Sequence, residues 1–204
     1  MRKRLLYCLV IVCLFGTALR STAVPSATEQ VRETVDAVIK ILKQKDLDKE
    51  KREKDLSTVI RKRFDFRTMA RGALALNWRK ATKEEKDRFV KLFTDLLEAT
   101  YIGKIEKYND ETVTYGRERI TKNRAVVETQ IVTSSTEIPI NYRLILEGDQ
   151  WLVYDVIVEE VSLIRNFRET YREIVRREGL EGLFAKMQEK IKELKSPPEV
   201  KKEQ

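Results

Sequence analysis

Residues 138–158, IPINYRLILEGDQWLVYDVIV, decide the fold. Two β-rich runs, Ile138 to Leu146 and Trp151 to Val158, flank Gly148-Asp149. That is a two-residue hairpin signal. A turn there sets Leu146 opposite Trp151, Leu144 opposite Val153 and Tyr142 opposite Asp155. Side chains alternate along a strand, so Tyr142, Leu144, Leu146, Trp151, Val153 and Ile157 share one face. The other face of the second strand carries Leu152, Tyr154, Val156 and Val158. A strand apolar on both faces has to be covered on both.

Upstream lie two more β-rich runs, Val113 to Ile120 and Ala125 to Val132, split by Thr121-Lys122-Asn123. Before and after these four runs the apolar period is helical. Ser26 and Glu29 have capping-box spacing ahead of Val31, Val35, Val38, Ile39 and Leu42. The charged stretch Lys45 to Asp55 reads as a solvated loop or an exposed helix start. Asp65 is placed to cap a short helix through Met69, Ala73 and Leu76 that ends near Trp78. Thr82 and Glu85 form a second capping box, before a long helix striped by Phe89, Phe93, Leu96, Leu97, Tyr101, Ile105 and Tyr108. Downstream, two helices are expected: one through Leu163, Phe167 and Tyr171 that stops at Gly179, and one through Leu183, Phe184 and Met187. The fold class is therefore α+β. Four antiparallel strands form a curved sheet with N- and C-terminal helices packed on it, a cone that encloses an apolar pocket if the helices do not fill it.

The N-terminus reads as an address. MRKR is basic, Leu5 to Phe15 is an apolar run too short to span a bilayer, and Ser21-Thr22-Ala23 offers small residues. Residues 1–23 are expected to be a cleavable signal peptide, cut after Ala23. Residues 24–195 then form a single domain and 196–204 a disordered charged tail. Cleavage removes four of the 41 Lys+Arg and no acid, so the net charge drops from +8 to +4. So small an excess, on an exported chain, argues against a nucleic-acid partner. Cleavage also removes Cys8 and Cys13 from a chain with no His. Triads, Cys-His dyads and the usual zinc and copper ligand sets are excluded, and so are disulfides. No metal site, catalytic residue or cofactor is expected.

No glycine sits in a phosphate-cradling loop, and Val161-Ser162-Leu163 is not a nucleophile elbow. Ser162 is better read as the cap of the helix that follows. Asp155 is the one carboxylate to weigh, because it falls inside a strand of aromatic and aliphatic residues. Beside Tyr142 it could act as a general base for an enzyme built on this sheet. Alternatively it hydrogen-bonds a backbone amide or a neighbouring Arg, which the absence of a second convergent polar group favours. A third reading is an interaction module with a filled core.

Several segments together resemble the MlaC family, the periplasmic phospholipid-binding proteins of the Mla pathway, also described as the toluene-tolerance auxiliary family. They are Phe64-Asp65-Phe66-Arg67-Thr68-Met69-Ala70-Arg71, Phe89-Val90-Lys91-Leu92-Phe93, Ile138-Pro139-Ile140-Asn141-Tyr142-Arg143-Leu144, Trp151-Leu152-Val153-Tyr154-Asp155-Val156 and Val161-Ser162-Leu163-Ile164. One departure is Glu159-Glu160, where the family commonly has Glu-Gly before Val-Ser-Leu. The resemblance implies a nuclear-transport-factor-2-like cone with a helical addition that holds phospholipid acyl chains and shuttles the lipid between outer and inner membranes. It implies two partners, an outer-membrane lipoprotein complex and an inner-membrane ABC transporter with an MCE-domain subunit. The tails are then expected to lie between the sheet face of Tyr142, Leu144, Trp151 and Val153 and a helical side. That helical side is made of Phe66, Met69, Leu74, Phe93, Leu97, Tyr101 and Ile164.

Overall fold

The computed structural model describes residues 26–107 and 111–196. The expected signal peptide with its cleavage point, Tyr108 and nearly all of the charged tail lie outside these residues. Helix α1 (Ala27–Leu42) opens on Ser26, whose side chain accepts from the Glu29 amide. The charged stretch resolves as a helix start: Asp48 caps α2 (Lys49–Arg63) by accepting from the Lys51 amide. Asp65 caps α3 (Phe66–Leu74), and Thr82 and Glu85 complete the capping box of α5 (Lys83–Ile105). The short helix expected through Leu76 is divided. Ala75, at φ 51, separates α3 from α4 (Leu76–Lys80).

Strands β1 (Thr112–Thr121), β2 (Arg124–Val132), β3 (Glu137–Glu147) and β4 (Gln150–Val158) follow in chain order, each antiparallel to the next. A fifth strand, β5 (Val161–Ser162), adds to the four expected and pairs with Ile157 and Val158. Two residues show no period, which is why β5 is unreadable in the sequence. Helix α6 (Leu163–Lys195) contains both expected C-terminal helices, with Gly179 at φ 71 and ψ −173 breaking it at the anticipated point.

The hairpin register holds at Leu146 with Trp151 and at Leu144 with Val153, then changes. A bulge at Tyr154 sets Asp155 opposite Arg143 and Tyr142 opposite Val156. The extra residue reverses the alternation beyond it. Val156 therefore joins Tyr142, Leu144 and Val153 on the inner face, and Ile157 leaves it.

Two apolar clusters fill the molecule. One lies on the inner sheet face, where Ala27 and Val31 of α1 cover Ala125, Val127, Leu144, Trp151 and Val153. The other is helical, joining α3, α5 and α6 through Met69, Leu74, Phe89, Phe93, Tyr171, Leu183 and Phe184. The backbone at Phe64 bridges β4 at Val153, and the Asp65 amide donates to the Val153 carbonyl at 2.9 Å. This contact, with β5, covers the outer edge of β4.

Candidate functional site

The eleven residues expected to line a lipid pocket are all buried or half-buried, and they divide between the two clusters. Tyr142, Leu144, Trp151 and Val153 belong to the inner sheet cluster. Met69, Leu74, Phe93, Leu97 and Ile164 are in the helical cluster, with Phe66 and Tyr101 packed against it. Phe64 packs against both, so the two halves of the expected lining adjoin there. The bridging position of Phe64 comes from the strand-like pairing with Val153, which is remote in sequence.

The helical half is dense with rings. Phe93 meets Phe167 edge-on at 5.2 Å, and Phe89 meets Tyr171 edge-on at 5.8 Å. Such contacts add to the burial of apolar area. The Tyr171 hydroxyl is buried without a hydrogen-bond partner among the described residues, and burial raises its pKa. On the sheet side, burial pushes Tyr142 up to about 12; nearby Tyr115 adds to the rise and a hydrogen bond with Thr129 opposes it.

A polar clamp holds α1 and α2 over the hairpin. Gln30 is 4% exposed, yet its Oε1 accepts from the Trp151 amide at 2.9 Å and from Arg63, while its Nε2 donates to the Asp149 carbonyl. Arg63 also donates to the Trp151 carbonyl and to Thr34. Burial lowers the Arg63 pKa, and Glu33 opposes that shift.

Asp155, 4% exposed, takes the second of its two expected roles. Its Oδ1 accepts from the Ile164 amide at 3.1 Å, and its Oδ2 accepts from the Ser162 hydroxyl at 2.7 Å, with Arg143 at 3.4 Å. Ser162 in turn accepts from the Arg165 amide and caps α6. The bulge puts Tyr142 on the inner face and Asp155 on the outer one, so the proposed acid–base pair does not meet. Among the described residues no group of His, Cys, Asp and Glu could hold a metal ion.

On the outer side of the sheet, β2, β3, β4, α3 and the start of α6 enclose a cleft of about 530 Å³. Arg71, Arg124, Arg143, Arg165 and Arg168 line it, around a floor that includes Tyr154, Ile157 and Ile164. No local pattern announces this cleft, because its arginines are separated in sequence and belong to four elements. Gly72 lets α3 approach α6 there, since a Cβ would stand 2.9 Å from Ile164 Cγ2.

The comparisons with known proteins agree with this architecture. A solved structure of the phospholipid-binding protein from Ralstonia solanacearum, in complex with a phospholipid, matches with a TM-score of 0.77 at 24% identity. The match covers 84% of this chain and 100% of that one, and at this identity it is a likeness of fold. No curated protein matches the sequence. The family profile described as MlaC protein matches residues 32–189, well over half of the sequence, so the chain belongs to the MlaC family.

Proposed function

We propose that this protein is a periplasmic phospholipid carrier, exported by the N-terminal 23 residues, which shuttles lipid between the outer and inner membranes. Membership of the MlaC family over residues 32–189 carries this reading. The physical need is large. A diacyl lipid has roughly 30 methylenes at about 0.8 kcal/mol each, so exposing its tails to water costs on the order of 20 kcal/mol. A carrier has to offer an interior about as apolar as a bilayer, and to bind no more tightly than that, so that lipid can leave again. No bond is made or broken in such a task, and no cofactor or metal is required.

In this reading the acyl chains enter where the two apolar clusters adjoin at Phe64. The sheet side (Tyr142, Leu144, Trp151, Val153) and the helical side (Phe66, Met69, Leu74, Phe93, Leu97, Tyr101, Ile164) separate to admit them. An outer-membrane lipoprotein complex and an inner-membrane ABC transporter with an MCE-domain subunit would deliver and receive the lipid.

The test is extraction of the chain, expressed with its signal peptide in a Gram-negative host, followed by mass spectrometry of the organic phase. Copurifying phospholipid is expected. Protein recovered folded but free of lipid would overturn the reading. Phe66→Ser should lower the lipid-to-protein ratio severalfold while the helical circular dichroism is kept. An unchanged ratio would remove Phe66 from the lining.

A further inference from the structure

We propose that the arginine-lined cleft on the outer side of the sheet is a binding site for a phosphate ester. Five arginines from α3, β2, β3 and α6 converge on it, and among the described residues Asp155 and Glu160 are its only carboxylates, leaving three positive charges in excess. Every cation in the lining is Arg and none is Lys. Arg offers planar forks of N–H donors that match the oxygens of phosphate, where Lys offers a point charge.

The surroundings fix the forks without using them up. Arg168 donates through Nε to the Gly72 carbonyl at 2.9 Å, and Arg165 through Nε to Glu169 at 3.2 Å. Arg124 lies over the Tyr154 ring at 5.0 Å, and among the described residues Arg143 has only the 3.4 Å contact with Asp155. The Arg71 side chain has no hydrogen-bond or ion-pair partner among the described residues. Asp155 is held by Ser162 and the Ile164 amide and offsets one of the five positive charges, which the excess of three already counts. The Ile164 and Arg165 amides in the first turn of α6 are likewise taken, which leaves the arginine side chains to hold the anion.

Two features choose among anions. Forks arriving from a sheet face and two helices surround a tetrahedral group, whereas a planar carboxylate is satisfied by one fork. The volume of about 530 Å³ and the apolar floor of Tyr154, Ile157 and Ile164 leave room for an organic substituent. A glycerophosphate-sized ester fits both, whether it is a lipid headgroup or a soluble molecule. This site faces away from the Leu144 and Val153 interior, shares only Ile164 with the lining assigned to the lipid, and does not depend on the carrier reading.

Arginine side-chain NMR shifts of the full mature protein, in phosphate-free low-salt buffer, read the binding directly. The two ligands to titrate are glycerol 3-phosphate and dihexanoyl phosphatidylglycerol below its micelle concentration. Binding of the first identifies a soluble ester as sufficient, and binding of the second alone identifies a lipid headgroup; either supports the site. Arg71→Gln and Arg143→Gln should each weaken affinity about tenfold. Glu160→Gln should strengthen it about threefold, and Arg117→Gln, outside the cleft, should leave it unchanged. Arg71 is exposed and has no partner among the described residues, so its variant tests the site even if Arg143→Gln fails to fold. The proposal is overturned if neither ligand moves the cleft arginines, if Arg71→Gln binds as the parent does, or if glutarate, standing for an acidic peptide, binds as tightly.

Discussion

The backbone at Glu160 is at φ 66, after Glu159 at φ 48. Both are left-handed positions in the tight turn between β4 and β5, a geometry that favours Gly. A non-glycine residue in this region costs about 1 to 2 kcal/mol. Glu160→Gly should therefore raise stability by about 1 kcal/mol, seen as a higher denaturant midpoint at unchanged slope. Tyr142 predicts a pH effect. Its folded pKa, about 12, lies above the ordinary value of 10, so the fold favours the neutral phenol. That contribution is full below pH 10 and is lost between pH 10 and 12, at about 1.4 kcal/mol per pH unit. Chemical denaturation across that range should show the slope in the parent and a shallower one in Tyr142→Phe.

The β3–β4 hairpin shows how far sequence patterning reaches. Alternation and Gly148-Asp149 predict the register near the turn, and the structure keeps it at Leu146 with Trp151 and Leu144 with Val153. Beyond Val153 the prediction fails, because the bulge at Tyr154 leaves no mark on the alternation itself. Val156 and Ile157 are both apolar, so either can face inward. The bulge is retained by contacts outside the strand pairing: Asp155 is held by Ser162 and the first turn of α6. Gly179 is the contrasting case, a break that is readable because its φ of 71 and ψ of −173 belong to glycine. It allows Tyr171 on one side and Leu183 and Phe184 on the other to reach the same cluster. Gly179→Ala should cost about 1 to 3 kcal/mol in thermal or denaturant unfolding. An unchanged midpoint would mean the kink is unstrained with a side chain present.

Across the molecule, α1 is joined to the sheet by a few apolar side chains and by Gln30. Gln30→Ala removes the partner of the Trp151 amide and one partner of Arg63, leaving buried donors unsatisfied. A loss of about 2 to 3 kcal/mol is expected. Hydrogen exchange should accelerate first in α1 and at Trp151, with the helical cluster of α5 and α6 still protected. Uniform acceleration in every element would show instead that the two clusters unfold as one.

The α+β class, the caps at Ser26, Asp65, Thr82 and Ser162, the break at Gly179 and the family are all legible in the amino-acid sequence. Each of these is written in neighbouring residues, through a period, a cap spacing or a run of matching segments. The fifth strand, the bulge and the face on which Asp155 stands emerge only on folding, because a two-residue strand and a single extra residue leave no mark on the apolar period. The folded chain alone also shows that the eleven expected lining residues fall into two clusters meeting at Phe64, and that five arginines meet in one cleft. Those two features depend on contacts between residues distant in the chain, which no local pattern specifies.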